Sequence, residues 1–164
     1  MGRIKRTSFL VVFILGISSC GQPPASTAPA NAVVNATTKP QLSTDCPLSF
    51  PLSNYCASLT WLNTPTFEGE NSFTIHFWDA KSGSSHGPYS DPPHSVFTKL
   101  WMPSMGHGSS KITLARSADS SGVAIPGVFL GTDVYFTMPG AWDVHIQLKD
   151  GSKIVEEALD SLSL

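Results

Sequence analysis

Basic residues are scarce in this chain and concentrated early. Lys and Arg number ten in 164 residues, and three of them, Arg3, Lys5 and Arg6, fall within the first six positions. No later segment forms a basic patch or interleaves aromatic with basic residues. Counterion release from a phosphate backbone then has little to act on, which argues against nucleic acid as a partner. Long apolar runs are missing too. Phe9 to Ile17 is a run of only nine residues, against the roughly 20 that a membrane-spanning helix needs. No segment sustains a helical period of apolar residues, which argues against helical bundles and parallel sheets. There is no glycine-rich phosphate loop and no zinc-protease helix motif. Gly83-Ser84-Ser85-His86-Gly87 fits the Gly-x-Ser-x-Gly pattern formally, but its Ser/Gly-rich surroundings offer no strand-turn-helix elbow for a serine nucleophile. Glu68 with Glu70 and Glu156 with Glu157 read as exposed neighbours, with nothing to push two pKa values apart. The sequence predicts a protein that works by binding, not an enzyme.

What is present begins with an export signal. Three basic residues precede the short apolar run, and the run leads into Ile17-Ser18-Ser19-Cys20, which resembles the bacterial lipobox. The expectation is a leader over residues 1–19, with Cys20 as the first mature residue and the site of lipidation. Gly21 after the cysteine, by the same resemblance, implies sorting to an outer membrane facing the periplasm. Loss of the leader would leave seven basic against twelve acidic residues, a net charge of −5. From Gln22 to Thr44 the composition is dominated by Pro, Ala, Ser, Thr, Asn and Gln, with Lys39 the sole charge. Residues 20–44 read as a flexible tether between the lipid and a domain over 45–164. The remaining cysteines, Cys46 and Cys56, open that domain. In an exported protein, without Cys-x-x-Cys spacing, they predict a structural disulfide.

Strand periodicity fills the domain. Ala57-Leu59-Trp61, Phe73-Ile75-Phe77 and Trp142-Val144-Ile146-Leu148 each alternate with polar or opposite-face residues at the period of two that a half-buried strand requires. Val96 to Met102, Lys111 to Arg116, Val123 to Ile125, Val134-Phe136-Met138 and Lys153 to Ala158 read as further strands. The tail from Glu156 to Leu164 has room for a helical turn or two. Met138-Pro139-Gly140-Ala141 and Lys149-Asp150-Gly151-Ser152 look like hairpin turns. The fold expected is all-β, an antiparallel Ig-like β-sandwich of about seven strands. The long segment Ala80 to Ser95 is expected to be mobile or used for function.

Two stretches hold every methionine outside the initiator: Trp101-Met102-Pro103-Ser104-Met105-Gly106-His107-Gly108 and Phe136-Thr137-Met138-Pro139-Gly140-Ala141-Trp142. Met102, Met105 and His107, with Met138 if the turns share one end of the sandwich, are a donor set suited to Cu(I). The competing reading packs Met102 and Met138 into the core and leaves Met105 to cap it. His86, Asp91 and His94 form a second candidate set for Cu(II) or Zn(II), against the reading of solvated loop side chains. His76 and His145 read as half-exposed strand residues.

The order Trp101-Met102-Pro103, Met105-Gly106-His107-Gly108, then Phe136 through Trp142-Asp143-Val144-His145-Ile146 resembles the YtkA-like/FixH-like family of small exported β-sandwich domains, over roughly residues 70–158. The resemblance implies the same fold, and a link to copper handling that some members have. The function expected is a membrane-anchored envelope lipoprotein that binds copper. The alternative is a metal-free Ig-like module that binds another envelope protein, presenting the Ala80 to Ser95 loop and the Met-Gly-His turn.

Overall fold

The computed structural model describes residues Asp45–Leu164; the expected leader, Cys20 and the expected tether lie outside the described residues. Nine antiparallel strands and no helix occur among the described residues, in the order β1 (Leu48–Phe50), β2 (Tyr55–Trp61), β3 (Asn71–Asp79), β4 (Ser95–Met102), β5 (His107–Gly108), β6 (Thr113–Ala118), β7 (Ala124–Val134), β8 (Ala141–Asp150) and β9 (Lys153–Ser163). One sheet runs β1-β2-β3-β7-β6 and the other β5-β4-β8-β9. With β2 taken as the first strand, this is the two-sheet order of an Ig-like sandwich, to which β1 adds an extra edge. The fold expectation holds, and the strands beyond the expected seven are the shortest, β1 and β5.

The alternating segments do what their period requires. Phe73, Ile75 and Phe77 of β3 and Trp142, Val144, Ile146 and Leu148 of β8 are fully buried and join one core with Phe50, Leu100 and Phe136. Two aromatic contacts tie the sheets together at one end: Trp61 of β2 lies 5.9 Å from Phe136, and Phe136 lies 5.5 Å from Trp142. Within its own sheet Trp61 meets Phe73 of β3 edge-on at 5.3 Å. The indole N–H of Trp142, at the start of β8, donates to the Met138 carbonyl at 3.0 Å. An Ig-like sandwich commonly uses a tyrosine hydroxyl for this corner; here the indole satisfies the same need.

Several elements differ from expectation. The tail is not helical. It forms β9, paired with β8 from Asp150↔Lys153 to Ala141↔Ser163, because a long partner strand outweighs the weak local preference of a serine-containing tail. The segment Val134-Phe136-Met138 is not a strand: β7 ends at Val134, and residues 135–140 cross from one sheet to the other. Met138-Pro139-Gly140-Ala141 is therefore a crossing and not a hairpin. Gly151-Ser152, by contrast, does join β8 to β9 as a tight turn. Val123 to Ile125 is only the edge of an eleven-residue strand that continues through Pro126-Gly127, where pairing with β6 breaks between Arg116 and Ala118.

Polar groups close the ends. Cys46 and Cys56 are bonded, with Cα atoms 5.2 Å apart, and clasp β1 to β2. Glu156, expected to be exposed, is buried on β9. It accepts hydrogen bonds from the Leu52 and Ser53 amides at 2.6 and 2.9 Å, holding the β1–β2 turn of the opposite sheet. Asn71 is fully buried. It accepts from Thr66 N–H at 2.8 Å and donates to the carbonyls of Thr66, Gly69 and Val134, so one amide fixes the β2–β3 loop against β7. Asn71→Ala strands several buried backbone groups at once and is expected to cost about 2–4 kcal/mol in urea denaturation. A loss under ~0.5 kcal/mol would show that the loop is held by other means.

Candidate functional site

The methionine-histidine site is built by a short hairpin. β4 ends at Met102, the chain turns through Pro103–Gly106, and β5 returns so that His107 sits opposite Met102 and Gly108 opposite Trp101. The Met102 carbonyl accepts from both the Gly106 and Met105 amides, at 2.9 and 3.2 Å, which closes the turn. Met102 follows the inward parity of Leu100 and is buried, 2 % exposed. Its methyl group lies against Gly140, where an added Cβ would come within 2.8 Å of Met102 Cε. The crossing 135–140 and the β4–β5 turn therefore lie at the same end of the sandwich. Met138 packs partly buried against the core, with its carbonyl held by Trp142.

His107 is half-buried, its ring edge-on to Trp142 at 6.0 Å and 76°. Its Nδ1 lies 2.9 Å from the Gly108 carbonyl oxygen. A carbonyl only accepts, so Nδ1 carries the proton and the Nε2 lone pair is left to bind something else. Met105 is 61 % exposed and does not cap the core. Of the two readings of the methionines, core packing describes Met102, and partly Met138, but fails for Met105. Trp142 and Gly140 read in the sequence only as a strand residue and a turn residue, yet both shape this site. Their signal was the Met-Pro-Gly-Ala-Trp spacing, which puts a Cβ-less residue beside the Met102 thioether and an indole donor on the Met138 carbonyl.

Neutral sulfur and imidazole donors suit a soft monovalent ion and suit hard divalent ions poorly. Among the described residues no three of His, Cys, Asp and Glu gather into a metal-binding group. The second candidate set is not assembled. His86 Nδ1 lies 3.2 Å from the neighbouring Ser85 hydroxyl. Asp91 serves as an anchor, accepting from Arg116 Nη1 at 2.6 Å and from the Gly127 amide at 2.7 Å. With Ser90 N–H bonded to the Phe77 carbonyl and Tyr89 stacked on His76 at 4.7 Å, the long β3–β4 loop is strapped to the sheet rather than free to close on an ion. Gly127 permits this strap. A Cβ there would meet Ser90 O at 2.5 Å and Phe77 O at 2.7 Å. His145 donates from Nδ1 to Glu157 at 2.8 Å, and its Nε2 is buried without a partner.

A groove of about 390 Å³ opens between β1 and β9, lined by Pro47, Leu48, Pro51, Ala158 and Leu159. Its one carboxylate, Glu157, is occupied by His145 and Gln147, so the groove offers nothing reactive and is separate from the methionines.

The hydrogen bond from Arg116 holds the Asp91 carboxyl below the ordinary carboxylate range; burial works against it, and the Gly127 amide and the Arg116 charge reinforce it. A lowered folded-state pKa contributes stability that is present above the ordinary value and lost as pH falls through the lowered one. In Arg116→Ala the Asp91 carboxyl should titrate closer to its ordinary value by carbon-13 NMR; an unmoved midpoint would sink the strap.

Comparison with family models, with curated proteins and with solved structures gave no match for this chain.

Proposed function

We propose that this is an exported lipoprotein domain that binds Cu(I) at one end of its sandwich, through the Met102 and Met138 thioethers and His107 Nε2, with Met105 at the rim. The observation that carries the reading is the bond from His107 Nδ1 to the Gly108 carbonyl, on a strand that places His107 opposite Met102. Metal-binding histidines are commonly held this way, by a carbonyl or carboxylate on the other ring nitrogen. The resemblance to YtkA-like/FixH-like domains points the same way. Cu(I) would supply no catalysis here; the reading is of holding and passing the ion in the cell envelope.

Anaerobic Cu(I) titration against a competing chelator, with ascorbate to spare the disulfide, tests this. One equivalent should bind, and His107→Ala should weaken binding by about tenfold or more. Equal affinity in both proteins would end the copper reading. The anchor is tested separately: the chain should incorporate a labelled fatty acid and lose the label in Cys20→Ser, whereas label retained in that variant would refute lipidation at this cysteine.

A metal-free interaction module is the second reading, favoured by the outer face of the β5-β4-β8-β9 sheet. Phe97 and Leu159 are 44 % and 51 % exposed there, on the same face as Trp101. Under it another envelope protein covers that face, and no Cu(I) binds.

A further inference from the structure

We propose that Met105 is the exchange ligand of the copper centre, the side chain through which Cu(I) passes between Met102, His107 and Met138 and a thiolate or thioether donor on a partner protein. This rests on the copper reading above.

The four candidate donors differ sharply in access. Met102 is 2 % exposed under the crossing segment, Met138 is partly buried against the core, His107 is half-buried beside Trp142, and Met105 is 61 % exposed. A soft ion changes ligands by accepting a new donor before releasing an old one, so at least one coordination position must face the incoming group. A thioether beneath Gly140 cannot be reached from solvent, whereas the one on the turn can.

The turn itself is built for such a part. Gly106 takes φ +66°, and a Cβ on it would meet nothing within 4 Å, so the backbone projects into open space. The Met105 and Gly106 amides both bond to the Met102 carbonyl, which keeps the Met105 backbone within one turn of a buried donor. From that fixed point an unbranched side chain with three rotatable bonds can swing outward or back. At 61 % exposure Met105 contributes little to packing.

The hand-over moves no electrons. One copper–sulfur bond to Met105 forms as a bond to one inner donor breaks, the ion stays in the +1 state, and donors on the partner then displace Met105 and the two remaining inner donors in turn. A thioether carries no proton, so the methionines release and take up none in this exchange. A partner thiol would lose its proton to solvent.

The test uses the full chain with Cys20→Ser, so that no free thiol competes, and with the Cys46–Cys56 disulfide intact. It is loaded with one equivalent of Cu(I) and mixed with excess bathocuproine disulfonate in a stopped-flow instrument. Met105→Leu keeps the size of the side chain and removes the sulfur. It should leave the equilibrium affinity within roughly threefold while slowing transfer to the chelator by about tenfold or more, with loading slowed equally. Transfer at the wild-type rate overturns the proposal, as does an affinity loss of about tenfold or more, which would make Met105 a holding ligand like the others. His107→Ala separates this from the parent reading: if that variant binds Cu(I) as tightly as the wild type, the copper centre fails and the exchange role with it. If His107→Ala weakens binding while Met105→Leu changes neither affinity nor rate, only the exchange role falls.

Discussion

The indole of Trp142 does two jobs that the rest of this end of the molecule depends on. Its ring is fully buried where the aromatic contacts cross from one sheet to the other, through Phe136 to Trp61. Its N–H holds the Met138 carbonyl, and so fixes where the crossing segment runs. A buried indole whose donor is satisfied can fill a core without an unpaired polar group. The crossing, once fixed, brings Gly140 onto Met102, and the same indole meets the His107 ring. Core, corner and candidate site thus share one side chain.

The loops of the sandwich are finished in different ways. At the Met-His corner, apolar and soft groups meet. Other loops are fastened by polar side chains aimed at backbone: Asn71 at the β2–β3 loop, Glu156 at the β1–β2 turn, Asp91 at the β3–β4 strap. In each case a polar side chain satisfies amides or carbonyls that a loop leaves without strand partners. The same device reappears within the outer sheet face. Burial pushes the Glu157 carboxyl up, but hydrogen bonds from Gln147 and His145 and the charges of His145 and Lys99 outweigh it and hold the carboxyl below its ordinary value.

Much of the sandwich was legible because its central strands alternate cleanly. Phe73-Ile75-Phe77 and Trp142 to Leu148 state their faces in the order of their residues. The elements that were misread depend on partners distant in sequence. β9 exists because β8 lies beside it, and β7 hides behind Pro126-Gly127, which locally signals a break and structurally is a bulge. Glu156 and Asp91 carry no local mark of their anchoring roles, since Ser53 and Arg116 are separated from them by 103 and 25 residues. At the site, the donor types were readable from composition. Which of them is buried and which nitrogen of His107 is bare were not, because both follow from the β4–β5 register and the place where the crossing lands.

The position of the disulfide has a mechanical consequence. Everything N-terminal to the domain joins it through Asp45 and Cys46, and Cys46 is bonded directly to Cys56 in β2. Tension arriving along the chain from that side therefore bypasses β1, which lies inside the covalent loop. The first non-covalent bonds to carry the load are those of β2 with β3, from Tyr55↔Asp79 to Trp61↔Phe73. A three-residue edge strand that would peel away under force is thus removed from the load path, and the domain resists a pull on its leading end with a seven-residue ladder backed by its core.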